Sequence, residues 1–403
     1  MRYKPSEDLW FRKAPKIIDF DGFMKAETIF SESLNTKISY RLFGLDGPTA
    51  EIHALLEPLN HSLSAQEQIR QLEQSLNWLF ADLLPVPMQQ VWKRFFLSDA
   101  ANQATYIDQG GASALSIVQQ PPLNGSKVAV WVYGIQNASI QKASDGTVGI
   151  HRPHYTHLFH TGLHSPEGDS YKQTLAVFSR YISSLQNQSA NLEQHCIRTW
   201  LFVQNVDVQY AGLVTARKQV FDQEALTSDT HYIASTGIEG RMAHPEVAVL
   251  MDAYAVPEIT AEQLTFLKGT GFMNPTHEYG VTFERGTEVS YGDRKHVFIS
   301  GTASINDKGE VVHPQEVLKQ AQRALDNISA LLNEASCTME DMAYLLIYLR
   351  DVADYKPVED YMQALYPGVP KLILLAPVCR PGWLIEIEGM ALRAHADPRF
   401  EPF

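Results

Sequence analysis

Apolar and polar positions along this chain come in short blocks that switch between two periods in a recurring order. Toward the C-terminal end, HVFISGTASI (296–305) is a dense apolar run that closes on small residues and predicts a buried strand. From about Pro314, Val317, Ala321, Ala324, Leu325, Ile328 and Leu332 recur at the spacing of one helix face. AYLLIYLRD (343–351) predicts another buried strand, and ADYKPVEDYMQALYPG a second helix that stops at Pro367-Gly368. KLILLAPVCRPGWLIEIEGMAL then predicts two strands around a Pro-Gly turn.

The same order occurs upstream. YTHLFHTG (155–162), YKQTLAVFSRYISSL (171–185), IRTWLFVQN (197–205), YAGLVTARKQVF (210–221) and a closing region at 235–256 repeat strand, helix, strand, helix, strand. A third, more worn copy lies toward the N-terminus: strands ISYRLFG and AEIHALLE, a helix at 65–84, a strand at 91–99 and a closing region at 113–135. Its second helix is cut to a stub around Ala100–Thr105. The ends of the central strands put Asp99, Asn205 and Asp351 in register, 106 and 146 residues apart. The expectation is an α+β fold of three repeats with helices on one face of mixed sheets. The units run 1–150, with an N-terminal arm wrapping over about the first 20 residues, 151–258, and 259–403, with a linker hairpin at roughly 257–294.

Composition narrows the function. With 33 basic against 46 acidic side chains the formal net charge is −13, which argues against nucleic acid as a partner and fits no basic stripe. The three cysteines, Cys196, Cys337 and Cys379, have neither CxxC nor zinc spacing, so a reducing, cytoplasmic setting is the simpler reading. No apolar run approaches the ~20 residues of a membrane span, and the first residues carry no apolar targeting core.

The last copy resembles the YjgF/Rid (endoribonuclease L-PSP-like) family through FISGTASI, HPQEVLKQAQRALDNISALL, LIYLRD and LIEIEGMAL. The middle copy is similar through QTLAVFSRYISSL, RTWLFVQNVD, YAGLVTARKQVF and STGIEG, so the likeness covers roughly 150–395. The tandem order, with GTASI early and CRPGWLIEIEG late in the last unit, resembles the chorismatases, in which a Rid-type domain cleaves the enolpyruvyl ether of chorismate. The resemblance implies chorismate-mutase-like units whose ligand clefts lie between neighbours. Joined in one chain, they would form an intramolecular pseudo-trimer that stays a monomer or modest homo-oligomer. It also implies a hydrolase or lyase acting on a small anionic molecule with no cofactor and no metal. One departure stands out: KLILLAPV carries no arginine where members of both groups place one.

Setting the closing strands side by side aligns Trp131, Leu250 and Glu386, so only the last copy has a carboxylate there. Strand alternation puts Glu386 and Glu388 on one face. Turned inward, Glu386 is desolvated and suits a general acid; turned outward, the two are a solvated acidic pair. Arg380 reads as a ligand clamp or a surface turn residue, with Lys371 the next nearest cation. Cys379 lines the same stretch and fits a small buried filler better than a nucleophile. Across the cleft, Ser235 and Thr236 would contact ligand, and Gly301-Thr302 would offer backbone N–H groups to a carboxylate. Arg198, Arg217 and Arg241 are further cations, Arg198 reading as a structural pair partner, and Tyr210 as a packing residue of its helix. His151, His154, His157, His160 and His164 lack metal-ligand spacing and read as a His-rich surface. Three functions stay open: chorismatase-type ether cleavage, Rid-type enamine or imine deamination, and non-catalytic binding of a small carboxylate.

Overall fold

The computed structural model describes residues 18–20 and 24–403. The expected N-terminal arm falls, apart from Ile18–Phe20, outside the described residues.

Three mixed sheets, one of seven strands and two of six, carry the same four-strand heart. In the third unit it runs Arg294–Ala303, Ile385–Ala394, Met342–Leu349, Lys371–Leu375, the last pair parallel and the others antiparallel. The second unit repeats it with Thr156–His164, Val249–Ala255, Cys196–Val203 and Ala234–Glu239. The first does so with Glu51–Pro58, Val128–Gln136, Met88–Leu97 and Ala114–Gln119. Each parallel pair needs a crossover, which Val206–Gln223 and Tyr355–Leu365 supply as helices. The first unit manages with the stub Ala100–Gln103 and one tighter turn to Tyr106. Ser139–Lys142 and Val148–His151, which follow the first unit's closing strand in sequence, pair within the second sheet.

The long helices Ala65–Trp78, Ser170–Asn187 and Val317–Glu334 pack on the outer faces. Two start where Ser64 and Asp169 accept hydrogen bonds from the N–H groups of Glu67 and Lys172. The inner faces meet around an aromatic interior to which every unit contributes. Trp92 stands 5.0 Å from Trp200 and 5.1 Å from Phe159, Trp131 4.4 Å from Tyr344, and Tyr254 5.6 Å from Phe298. Each such ring removes enough surface from water for about 4–6 kcal/mol of gross stabilisation before ordering entropy. The contacts close a ring: Ala114–Gln119 lies against Thr156–His164, Ala234–Glu239 against Arg294–Ala303, and Met342–Leu349 against Thr36–Phe43. One chain thus makes its own trimer of repeats.

Ladder register refines the repeat alignment. Phe95↔Val130, Leu201↔Met251 and Ile347↔Ile387 are equivalent pairs, and they keep the spacing set by Asp99, Asn205 and Asp351. One step along, Phe96 faces Ala129, Phe202 faces Leu250 and Tyr348 faces Glu386. The first-unit counterpart of Glu386 is therefore Ala129, not Trp131, which stands in register with Asp252 and Glu388. The carboxylate at this position is still peculiar to the third unit.

Candidate functional site

Ile385 and Ile387 are fully buried in the apolar core, so alternation turns Glu386 and Glu388 the other way, toward the middle unit. Both carboxyls are nearly inaccessible, at 5% and 1% exposure, which removes the solvated-pair reading. Glu388 is held by four donors. Arg198 Nη2 donates at 2.6 Å, Tyr348 Oη at 2.9 Å and Trp200 Nε1 at 3.1 Å, with the Thr236 hydroxyl as the fourth. Arg198 also donates to Thr236 Oγ1 at 2.5 Å and Ser300 Oγ at 3.1 Å.

Glu386, two residues earlier, faces a pocket between the middle and third units. Its walls include Tyr210, Arg217, Ser235 and Gly237 from the middle unit, and Phe283, Arg285, Gly301, Cys379, Arg380 and Trp383 from the third. About 480 Å³ inside is free of atoms, part of it open to solvent. Burial pushes the Glu386 carboxyl up to about 8; the charge of Glu388 adds to this, and Arg198 and Arg285 oppose it. At neutral pH this carboxyl keeps its proton. Burial likewise raises the Cys379 thiol to about 12, with Glu386 adding to the effect, so it is no thiolate nucleophile.

The remaining candidates separate. Glu386, Arg380, Cys379, Gly301 and Ser235 meet at the pocket. Arg380 lies with its guanidinium carbon 5.1 Å from the Trp383 ring. Ser235 Oγ accepts from Thr199 Oγ1 at 2.9 Å. Thr236 stands behind the wall, and its hydroxyl accepts the Gly301 N–H at 2.9 Å, so that N–H is already engaged. Gly301 serves the site by lacking a side chain: a Cβ there would stand 2.8 Å from Glu386 Cδ. The Thr302 hydroxyl donates to Ser300 O at 2.8 Å, away from the lining. Lys371 is also elsewhere, donating to the carbonyls of Tyr366 and Val369 at 2.9 and 3.2 Å.

Sequence reasoning missed Arg285 entirely and took Tyr210 for a packing residue. Arg285 brings a buried guanidinium into the wall and donates to Asn274 O at 3.0 Å. Arg217, from the middle unit's second helix, donates to Thr282 Oγ1 at 3.2 Å. Positive charge thus arrives from segments remote in sequence from the KLILLAPV stretch. The available signal was TFERG: an arginine amid strand-forming residues in the linker hairpin. The His-rich surface is also corrected, because His157 and His160 are buried. Their rings contact Tyr254 Oη at 2.7 Å and Ser184 Oγ at 2.8 Å, and burial pushes them down to about 3 and 4. Among the described residues no group of three His, Cys, Asp or Glu could hold a metal, and no helix is long and apolar enough to cross a membrane.

With this geometry in place, comparison with known proteins adds a family likeness for part of the chain and a shared fold. Residues 288–393 match the endoribonuclease L-PSP family model. A 3-aminoacrylate deaminase, RutC of Acinetobacter baylyi, is 27% identical over 97 residues, which is 24% of this chain and 77% of that protein. A chorismatase crystal structure superposes with a TM-score of 0.62 at 18% identity, covering 77% of this chain and 95% of its own. The YjgF gene product of E. coli is 23% identical with a TM-score of 0.27, covering 32% and 98%.

Proposed function

From a chain whose residues 288–393 match the endoribonuclease L-PSP family model and whose tandem YjgF/Rid-like units share a chorismatase fold, we propose a cofactor-independent hydrolase that uses Glu386 as general acid. The substrate is a small carboxylate bearing an enol ether. The observation that carries this reading is a buried carboxyl, protonated at neutral pH, facing a pocket walled by Arg217, Arg285 and Arg380.

The chemistry is short. Glu386 gives its proton to the terminal methylene carbon of the enol ether, leaving an oxocarbenium centre at the ether-bearing carbon. Water adds there, and its released proton returns to the Glu386 carboxylate. The hemiketal then breaks its C–O bond, giving a 2-oxo acid and an alcohol, with one water consumed. The arginines supply charge-assisted hydrogen bonds to the substrate carboxylate. The acid form is the active one, so the rate declines as pH rises through about 8.

The test is incubation with chorismate and coupled detection of pyruvate, wild type against Glu386→Gln. The variant is expected to lose about 10²-fold or more in kcat. No pyruvate above blank from the wild type ends the ether-cleaving reading. The kinship with a 3-aminoacrylate deaminase favours a second reading, in which the same acid protonates an enamine carbon, water adds to the iminium and ammonia leaves. Ammonia release from 3-aminoacrylate tests it.

A further inference from the structure

We propose that Glu388 is the positioning residue of this site: a fixed buried carboxylate, clamped by the middle unit, that keeps its strand neighbour Glu386 in the protonated form. The proposal rests on Glu386 being the working acid, but it can be tested without a substrate.

The argument begins with what buries Glu388. A carboxylate at 1% exposure is tolerated only when its lone pairs are filled, and here four donors from three strands fill them. Arg198, Trp200 and Thr236 come from the middle unit and Tyr348 from the third, so the clamp exists only where the two units meet. The equivalent positions are Trp131 in the first unit, packed against Tyr344 at 4.4 Å, and Asp252 in the second, a buried acid paired with Arg94 at 2.8 Å. What sets Glu388 apart is that a second carboxyl, Glu386, stands two residues along the same strand face.

Glu388 and Glu386 are two residues apart on one buried strand face, and the charge of Glu388 adds to what raises the Glu386 carboxyl. Two carboxyls so placed do not both ionise readily. The other groups facing Glu386 pull differently. Arg198 and Arg285 favour its charged form, as positive charge from Arg217 and Arg380 would, while Cys379, Tyr210 and Tyr348 are neutral at pH 7. Burial is the largest influence holding the proton on Glu386, and the Glu388 charge is the next, set against Arg198 and Arg285.

The test is direct titration of the Glu386 carboxyl in the full-length protein by infrared difference spectroscopy, using Glu386→Gln to identify its band. In Glu388→Gln the midpoint is expected to fall by about one pH unit or more. A fall from about 8 to about 7 leaves roughly fivefold less acid form at pH 8. If Glu388→Gln fails to fold, Arg198→Met/Glu388→Gln removes both buried charges together, and the expected shift is still downward because Glu388 outweighs Arg198. An unmoved or raised midpoint in the folded variant overturns the proposal. Where the ether- or enamine-cleaving activity is detected, the alkaline limb of kcat/KM is expected to move by the same amount. If the midpoint falls and no substrate turns over, the proton-holding role stands and the proposed function fails.

Discussion

Gly301→Ala tests the site through a single methyl group. In the wild type the Glu386 carboxyl occupies the space a side chain at 301 would take. An ideal Cβ there lies 2.8 Å from Glu386 Cδ and 3.1 Å from Thr236 Cγ2. Comfortable carbon contacts are about 3.5–4.0 Å, so the carboxyl must retreat by about 1 Å. Gly301 has no positive φ, so alanine brings no backbone strain, and the displaced atoms are the far end of a side chain. The stability cost is therefore expected at about 1 kcal/mol, the low end for overpacking. A 1 Å displacement of a working acid is another matter, costing on the order of 10²-fold in rate. The measurements are denaturant unfolding beside kcat/KM for pyruvate or ammonia release. A folded variant with wild-type activity refutes the placement of Glu386 as the acid. A loss of several kcal/mol would instead show the glycine to be a packing requirement.

Glu386→Gln is expected to stabilise the protein increasingly with pH. The wild-type carboxyl rises from 4.5 unfolded to about 8 folded, so the native state binds the extra proton and loses stability as pH climbs between those values. Glutamine has no such loss, and the variant's advantage should reach a few kcal/mol, level above about 8, and vanish below about 4; parallel melting curves for the two proteins would contradict this. Asp252→Ala should cost about 3–5 kcal/mol in urea unfolding, because it strands Arg94, whose Nη2 donates to Asp252 at 2.8 Å with both side chains fully buried; a cost under about 1 kcal/mol would show that the seam tolerates a lone charge. All three thiols, raised to about 12 chiefly by burial, should resist iodoacetamide at neutral pH in the native protein, and rapid labelling of the half-buried Cys379 seen by mass spectrometry would contradict its raised thiol.

The repeats were legible because strand and helix periods are local. The register of Asp99, Asn205 and Asp351 survives in the ladders, and the worn second helix of the first unit is the stub expected. Closing-strand alignment failed by two residues in the first unit, since an apolar strand such as VAVWVYGI looks the same after a two-residue slip. The inward turn of Glu386 could be posed as a choice but not decided, because a two-sided strand leaves the same alternation whichever layer covers it. The arginines were harder still. Arg285 and Arg217 reach the pocket from a hairpin and a helix that only tertiary packing brings together. The histidines misled for the same reason: His157 and His160 are polar by type, and only tertiary packing buries them, His160 under Ser170–Asn187 and His157 against Tyr291 and Phe403.

The three seams show how one duplicated interface diverged. Between the first and second units, Arg94 reaches Asp252 while its guanidinium carbon lies 4.8–5.4 Å from the rings of Trp92, Trp131, Trp200 and Phe202. Between the third and first, Glu51 takes Arg294 Nη1 at 2.5 Å and the Tyr133 hydroxyl, with His296 Nε2 3.0 Å away. Between the second and third, Arg198 and Glu388 form the matching pair. Each seam therefore spends one buried acid on one arginine, and such pairs fix how units meet more than they stabilise the fold. The last seam adds a second inward-facing acid on the closing strand, Glu386, whose counterparts in register are Leu250 and Ala129. Because the structural pair is already complete without it, Glu386 is surplus to assembly. A buried carboxyl that destabilises the fold above pH 4.5 and lies outside the Arg198–Glu388 pair fits the acid we propose at the pocket it faces.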